Sequence, residues 1–242
     1  MKTKPRNGLV ALAVVVVLAI VVGVGVAVQA SRDTTGNDGA TPGGSSSSST
    51  PDGSTTGNGA VQAGLAEKYG LGVGDPNAPV KVEIFEDFLC PYCGQLEAIS
   101  HEKLQQAAAD GKVYVVYRPM AFLGDYSTRA FNAFGVVLDE AGGEAALRFH
   151  NELYADQPSE GGAMPDDDWL VRKAVAAGAD EAAVRKGIED GSFQQWTVNA
   201  NDDASRRGVN STPTVFVNGE SVSATSIEDL DTQVMQRIQN GS

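Results

Sequence analysis

The chain has 242 residues, 42% of them apolar, which is room for one domain of ordinary size and not for several. Thirty-one Asp and Glu against 18 Lys and Arg give a net charge of -13, which excludes a basic nucleic-acid-binding surface. With only two cysteines, Cys90 and Cys93, a framework of several structural disulfides is excluded as well.

Residues 1–8 carry Lys2, Lys4 and Arg6, and residues 9–28 follow without one charge. At about 1.5 Å per residue a helix over that run spans roughly 30 Å, the thickness of a bilayer's hydrocarbon core. The expectation is a single-pass membrane anchor with a cytoplasmic N-terminus and everything after Val28 outside the cell. The alternative is a cleaved secretory signal ending at Val28-Gln29-Ala30, but the apolar core of such signals runs only about 7 to 15 residues. Residues 29–59 are mainly Ser, Thr, Gly, Asn, Asp and Pro, with a run of serines from Ser45 to Ser49. They cannot bury a core and read as a flexible tether with a root-mean-square span of roughly 30 Å.

The folded part is expected over residues 60–242. A turn-rich stretch from Gly74 to Pro79 leads into a strand over 80–89. Leu96, Ile99 and Leu104 share one face of a helix predicted over 91–109, and a second strand is predicted over 112–117, making a β-α-β opening. Five helical segments follow, over 127–141, 144–155, 167–177, 180–189 and 193–207. Asp166-Asp167-Asp168 reads as a helix start favoured by the macrodipole, and Ser192 with Gln195 as a capping box. Phe131, Phe134, Phe149, Trp169 and Trp196 are expected in the core of this helical block. Asn218-Gly219 between residues 214–217 and 220–223 signals a hairpin with a type I′ turn. A closing helix, with Thr225 and Glu228 as its capping box, spaces Ile227, Leu230, Val234 and Ile238 to pack on a sheet.

Cys90-Pro91-Tyr92-Cys93 stands where the first strand gives way to the first helix. Cys90 then sits at a helix N-terminus beside unpaired backbone N–H groups, which stabilise a thiolate. Cysteines so placed in Cys-X-X-Cys motifs have pKa values of about 3.5 to 7.5, so the first sulfur exchanges and the second resolves. Pro91 suits the first helical turn, where its missing N–H has no partner to lose, and Tyr92 is expected to face a partner. Two other readings stand beside redox chemistry. A structural bridge closing so short a loop would constrain the unfolded chain little. A closed metal site needs two further ligands, and His101 and His150 lack zinc-like spacing, so both read as surface or packing residues and no metal is expected. Strand alternation places Val82, Ile84, Glu86 and Phe88 on one face. Glu86 in that apolar row can relay the proton of Cys93, since burial would raise its pKa; a solvated glutamate at the sheet edge fits the pattern equally well.

The runs Gly74 to Pro79, Val80 to Leu89, Cys90 to Cys93 and, far downstream, Gly208 to Thr214 together resemble the DsbA-like thiol-disulfide oxidoreductases, in particular membrane-anchored actinobacterial forms. The likeness covers about residues 70 to 240. It implies an α/β thioredoxin fold (β-α-β, then β-β-α) with a helical subdomain inserted over about 126–207. It also implies a cis peptide before Pro213, which then stands beside the cysteines and leaves the Thr212 backbone to pair with an extended substrate. The sequence departs from the family at Ile84, six residues before Cys90, where such proteins often bury an acid; Glu86 is the substitute on offer. What the resemblance implies is an extracytoplasmic enzyme that oxidises unfolded, reduced secreted proteins. It needs no organic cofactor and is reoxidised by a membrane quinone-linked protein of the DsbB or vitamin K epoxide reductase type. A reductase or isomerase of the same fold is the alternative, favoured by the glutaredoxin-like Pro91-Tyr92 pair. The stretch before Val80 is too short for an isomerase's dimerisation domain, so a monomer is expected. A thioredoxin-like metal-binding or scaffold module is the reading from a different class.

Overall fold

The computed structural model describes residues 62–241 together with Pro42. The expected anchor at 9–28 and the rest of the tether lie outside the described residues. Among the described residues no helix is long and apolar enough to cross a membrane.

Alternating apolar residues form the two central strands, β3 (Val80–Asp87) and β4 (Val113–Met120), which run parallel with Val82 opposite Val115 and Glu86 opposite Pro119. The crossover between them is α1 (Pro91–Ala109), as the β-α-β reading expects. The hairpin strand β5 (Thr214–Val217) joins the other side of β3 antiparallel, with Ile84 opposite Val215. Its turn has φ 50° at Asn218 and 83° at Gly219, the positive values that a type I′ turn requires. Its return strand β6 is only Glu220–Ser221. The last helix, α6 (Ile227–Asn240), buries Leu230, Val234 and Ile238.

Two strands escaped the sequence reading, β1 (Ala63–Ala66) and β2 (Gly70–Val73). Neither has the β-branched, alternating pattern of an intrinsic strand former. β2 is a strand because β4 lends it an edge, Leu71 opposite Tyr117 and Val73 opposite Val115. Its glycines admit β4's side chains: a Cβ at Gly72 would fall 1.9 Å from the Tyr114 hydroxyl. The sheet therefore has six strands in the order β1-β2-β4-β3-β5-β6.

Between β4 and β5 comes the helical insertion: α2 (Asp125–Ala155), α3 (Asp167–Ala176), α4 (Glu181–Asp190) and α5 (Gln194–Arg206). The two helices expected over 127–155 are continuous in α2 except at Gly142, whose φ of 79° and ψ of 178° break the helical path. Asp166 caps α3 by accepting from the Trp169 N–H at 2.9 Å. Two capping boxes are not where the sequence put them. α5 starts after Phe193 without a side-chain cap, and the Ser192 N–H instead donates to the Gly187 carbonyl, closing α4 around left-handed Gly191. On α6 the cap is Ser226, whose hydroxyl accepts from Asp229 N–H, while Asp229 takes the Thr225 N–H in return; the box is shifted by one residue. Phe131, Phe134, Phe149 and Trp196 are buried in the main core, each contributing about 1.5 to 3 kcal/mol of hydrophobic stabilisation. Trp169 departs from that expectation: it is half-buried and lies against Tyr126 and the Lys173 ammonium. The architecture is a thioredoxin fold interrupted by a helical insertion, extended at one edge by the β1–β2 hairpin.

Candidate active site

β3 ends at Asp87, and the Cys90 N–H turns back to the Asp87 carbonyl at 2.9 Å. That turn sets Cys90 in extended backbone (φ -72°, ψ 116°) as the N-cap of α1, with Pro91 at the helix start. The Cys90 carbonyl accepts from the N–H groups of Cys93 (3.0 Å) and Gly94 (3.1 Å), which places both cysteines in the first helical turn. Both thiols are free and both residues are buried. Tyr92 between them is 60% exposed, as expected of a residue that faces outward.

The two sulfurs have opposite electrostatics. Cys90 is lowered to about 6, first by the hydrogen bond from the Cys93 thiol, with its own partial burial opposing and the Thr212 side chain and the Tyr92 and Cys93 N–H groups adding to the effect. Burial drives Cys93 well above the ordinary thiol range, and the neighbouring Cys90 and Glu86 push it further. The peptide between Thr212 and Pro213 is cis, and the Cys90 thiol donates to the Thr212 carbonyl at 3.3 Å. The structure thus brings the downstream Thr-Pro pair onto the cysteine motif. Tyr92, Ser211, Pro213, Val222 and Leu230 line a cleft of about 380 Å³ next to it.

Glu86 is buried in the apolar row, 1% exposed, which decides against the solvated alternative. Its partner is His150, which the sequence reading took for a surface or packing residue: Nε2 lies 2.6 Å from Glu86 Oε1, and the residue is wholly buried. Burial lifts Glu86 to about 7 against the pull of His150, with Glu97 adding to the rise. Burial opposes protonation of His150, but the charge of Glu86 outweighs it and lifts the imidazole to about 9. Glu97 on α1 is also buried, and its Oε1 and Glu86 Oε2 have no hydrogen-bond partner. The ligand atoms of Glu86, Glu97 and His150 lie within 4.8 Å of one another, so among the described residues these three could hold a cation. A cation there would have to displace the proton shared by Glu86 and His150.

Sequence reading also missed Asp87. Wholly buried, its carboxylate accepts from Leu89 N–H (2.9 Å), Ser127 hydroxyl (2.6 Å), and the N–H groups of Phe122 (2.7 Å) and Leu123 (3.1 Å). It pins the loop before Cys90 to the loop between β4 and α2. The local signal, an Asp at a strand end hydrogen-bonding two residues ahead, was present in the sequence; its other partners lie 35 to 40 residues away.

A family model described as Thioredoxin matches residues 66–236. The chain belongs to the thioredoxin family. Among solved structures, this thioredoxin-family chain is similar to the reduced form of DsbG from Mycobacterium tuberculosis, at 29% identity and a TM-score of 0.58 over 76% of this chain and 93% of that one. DsbA from the same organism matches at 27% identity and a TM-score of 0.57, covering 75% of this chain and 96% of that one. A curated relative, the probable disulfide bond formation protein D of Bacillus cereus, is 27% identical over 158 residues, 61% of this chain and 69% of that protein. Serine/threonine-protein kinase PknE of Mycobacterium tuberculosis is 30% identical over 160 residues; the matched region is 61% of this chain but spans only 28% of the kinase's length. Within the family its likeness is to DsbA-type structures.

Proposed function

We propose that the chain is an extracytoplasmic thiol-disulfide oxidoreductase that introduces disulfides into secreted or envelope proteins. The observation that carries this reading is the asymmetry of the two sulfurs: Cys90 at about 6 on a helix N-terminus, Cys93 buried and well above the ordinary range. In the oxidised enzyme a substrate thiolate attacks the Cys90 sulfur. The Cys90–Cys93 bond breaks, and its electron pair leaves on Cys93, which takes up a proton. A second substrate thiolate then attacks the substrate sulfur of the mixed disulfide, and Cys90 departs as a stabilised thiolate. The substrate has lost two electrons and the enzyme has gained them. Glu86, raised to about 7 and within the field of Cys93, is the proton donor for the first step. Thr212, Pro213, Pro91 and Tyr92 are assigned to holding an extended substrate against Cys90, the Thr212 backbone by strand-like pairing and Tyr92 by contact along the cleft.

The uncharged run at 9–28 behind Lys2, Lys4 and Arg6 supports an anchor in the cell membrane with this domain on the outer side. A membrane quinone-linked protein of the DsbB or vitamin K epoxide reductase type is the reoxidising partner that placement suits. The test is the reduction potential measured against glutathione, with oxidation of a reduced model substrate and its loss in Cys90→Ser. A potential near about -120 mV supports an oxidant, whereas one near about -270 mV would turn the reading to the reductase alternative that Pro91-Tyr92 favours.

A further inference from the structure

α2 meets the cysteine loop along a single stripe. His150, Tyr154 and Gln157 are spaced i, i+4 and i+7, one helix face continued just past the last turn. Their counterparts Glu86, Phe88 and Cys90 alternate along β3 and its extension, one strand face. His150 bonds Glu86 at 2.6 Å, the Tyr154 ring lies 5.4 Å from that of Phe88, and Gln157 Nε2 donates to the carbonyls of Phe88 (3.1 Å) and Cys90 (3.0 Å). Only Gln157 touches the peptide of the reactive cysteine. The Cys90 carbonyl already accepts from Cys93 and Gly94, so Gln157 adds a third donor from outside the helix. Its approach needs a glycine at 94: a Cβ there would fall 2.4 Å from Gln157 Oε1.

We propose that Gln157, supplied by the helical insertion, is a positioning residue that orients the Cys90 turn and so sets the oxidising strength of the Cys90–Cys93 pair. The groups that stabilise a Cys90 thiolate are the Thr212 side chain and, in the first turn of α1, the Cys93 thiol and the N–H groups of Tyr92 and Cys93. Their aim depends on the Cys90 peptide plane, which Gln157 fixes. Its amide also brings the positive end of a dipole to the Cys90 backbone. Both effects favour the thiolate, hence the reduced pair, and a pair more stable when reduced is the stronger oxidant. The titratable groups facing Cys90, directly or through Cys93, are Cys93 and Glu97 on α1, Glu86 and Asp87 on β3, and His150 and Tyr154 on α2; replacing Gln157 removes none of them.

This inference deepens the oxidoreductase reading and rests on it for its meaning, but its experiment is read on the thiols themselves. Full-length protein is equilibrated with glutathione, where two glutathione thiols become one disulfide as the enzyme disulfide becomes two thiols, and the Cys90 thiolate is titrated by its ultraviolet absorbance. Gln157→Leu is expected to weaken the oxidation of glutathione about tenfold, roughly 30 mV, and to raise the Cys90 midpoint. Gly94→Ala, which displaces Gln157 while leaving it in the chain, should shift both readouts the same way, and Gln157→Glu, which sets a carboxylate against two carbonyls, should shift them further. A glutathione equilibrium and thiolate midpoint matching the wild type in Gln157→Leu would overturn the proposal. So would a loss of stability equal in the oxidised and reduced forms with an unmoved potential, since that marks a merely structural contact. Should the wild type fail to oxidise protein thiols while the variants still move the glutathione equilibrium, the functional reading falls and the positioning role stands.

Discussion

Glu83 and Glu86 lie three residues apart on β3, both buried, and the fold treats them oppositely. Strand alternation sends them to opposite faces of the sheet. On one face Glu83 accepts from Arg118 Nε at 2.8 Å and from Arg207 at 3.0 Å, with Lys81 nearby. Burial would raise its carboxyl, but the Arg207 hydrogen bond and the charges of Arg118, Arg207 and Lys81 outweigh that and hold it low. On the other face Glu86 has one imidazole, a second carboxylate in Glu97 and an oxygen with no partner, and it rises to about 7. A buried carboxylate with both oxygens bonded to cations is structure; a buried acid left short of cations is a group able to hand on a proton near neutral pH.

That contrast can be broken most severely at Arg118. Arg118→Leu strands Glu83 with less than its full complement, and loss of one partner from a buried pair costs about 3 to 5 kcal/mol. Denaturant unfolding should show that loss, while exchange per folded molecule is retained. If stability barely moves, the Glu83 side of the comparison fails. Next in size is Glu86→Gln, expected to slow formation of the mixed disulfide by roughly a hundredfold, the lower end of general acid–base contributions, an effect read on folded molecules apart from the stability lost when His150 loses its carboxylate partner. Stopped-flow exchange separates the two readouts, and an unaltered rate would leave Glu86 without the role assigned to it.

The smallest effect is the pH dependence of stability, where the two glutamates carry opposite signs. Glu83, lowered in the fold, contributes stability above the unfolded value of about 4.5 and loses it as pH falls through its folded pKa. Glu86, raised, contributes below about 4.5 and loses that contribution as pH climbs through about 7. His150, raised by the same pair, contributes below about 6.5 and loses it as pH climbs through about 9. Thermal melts of the disulfide-bonded form, in which Cys90 and Cys93 do not titrate, should decline across pH 5 to 9 in the wild type and flatten in Glu86→Gln, because that substitution removes one titration and the cause of the other. An unchanged slope would mean the pair is not protonated as described.

The sequence alone determined what is local or periodic. Residue spacing marked β3, α1, β4, the hairpin and its Asn218-Gly219 turn, and strand-to-helix position was enough to single out Cys90 as the candidate for the exchanging sulfur. The apolar row holding Glu86 was legible too, though not its burial. What the tertiary structure decided are pairings across long stretches of chain. His150 reaches Glu86 from 64 residues away and Gln157 reaches Cys90 from 67. The β1–β2 hairpin is held by β4 despite its weak intrinsic preference. Of the two expected capping boxes, one is absent, since the Ser192 N–H closes the preceding helix, and the other is shifted by one residue to Ser226. Short-range periodicity records which face a side chain occupies; it carries no record of what the opposite element brings there, and in a low-dielectric interior that partner decides whether an acid stays ionised or keeps its proton.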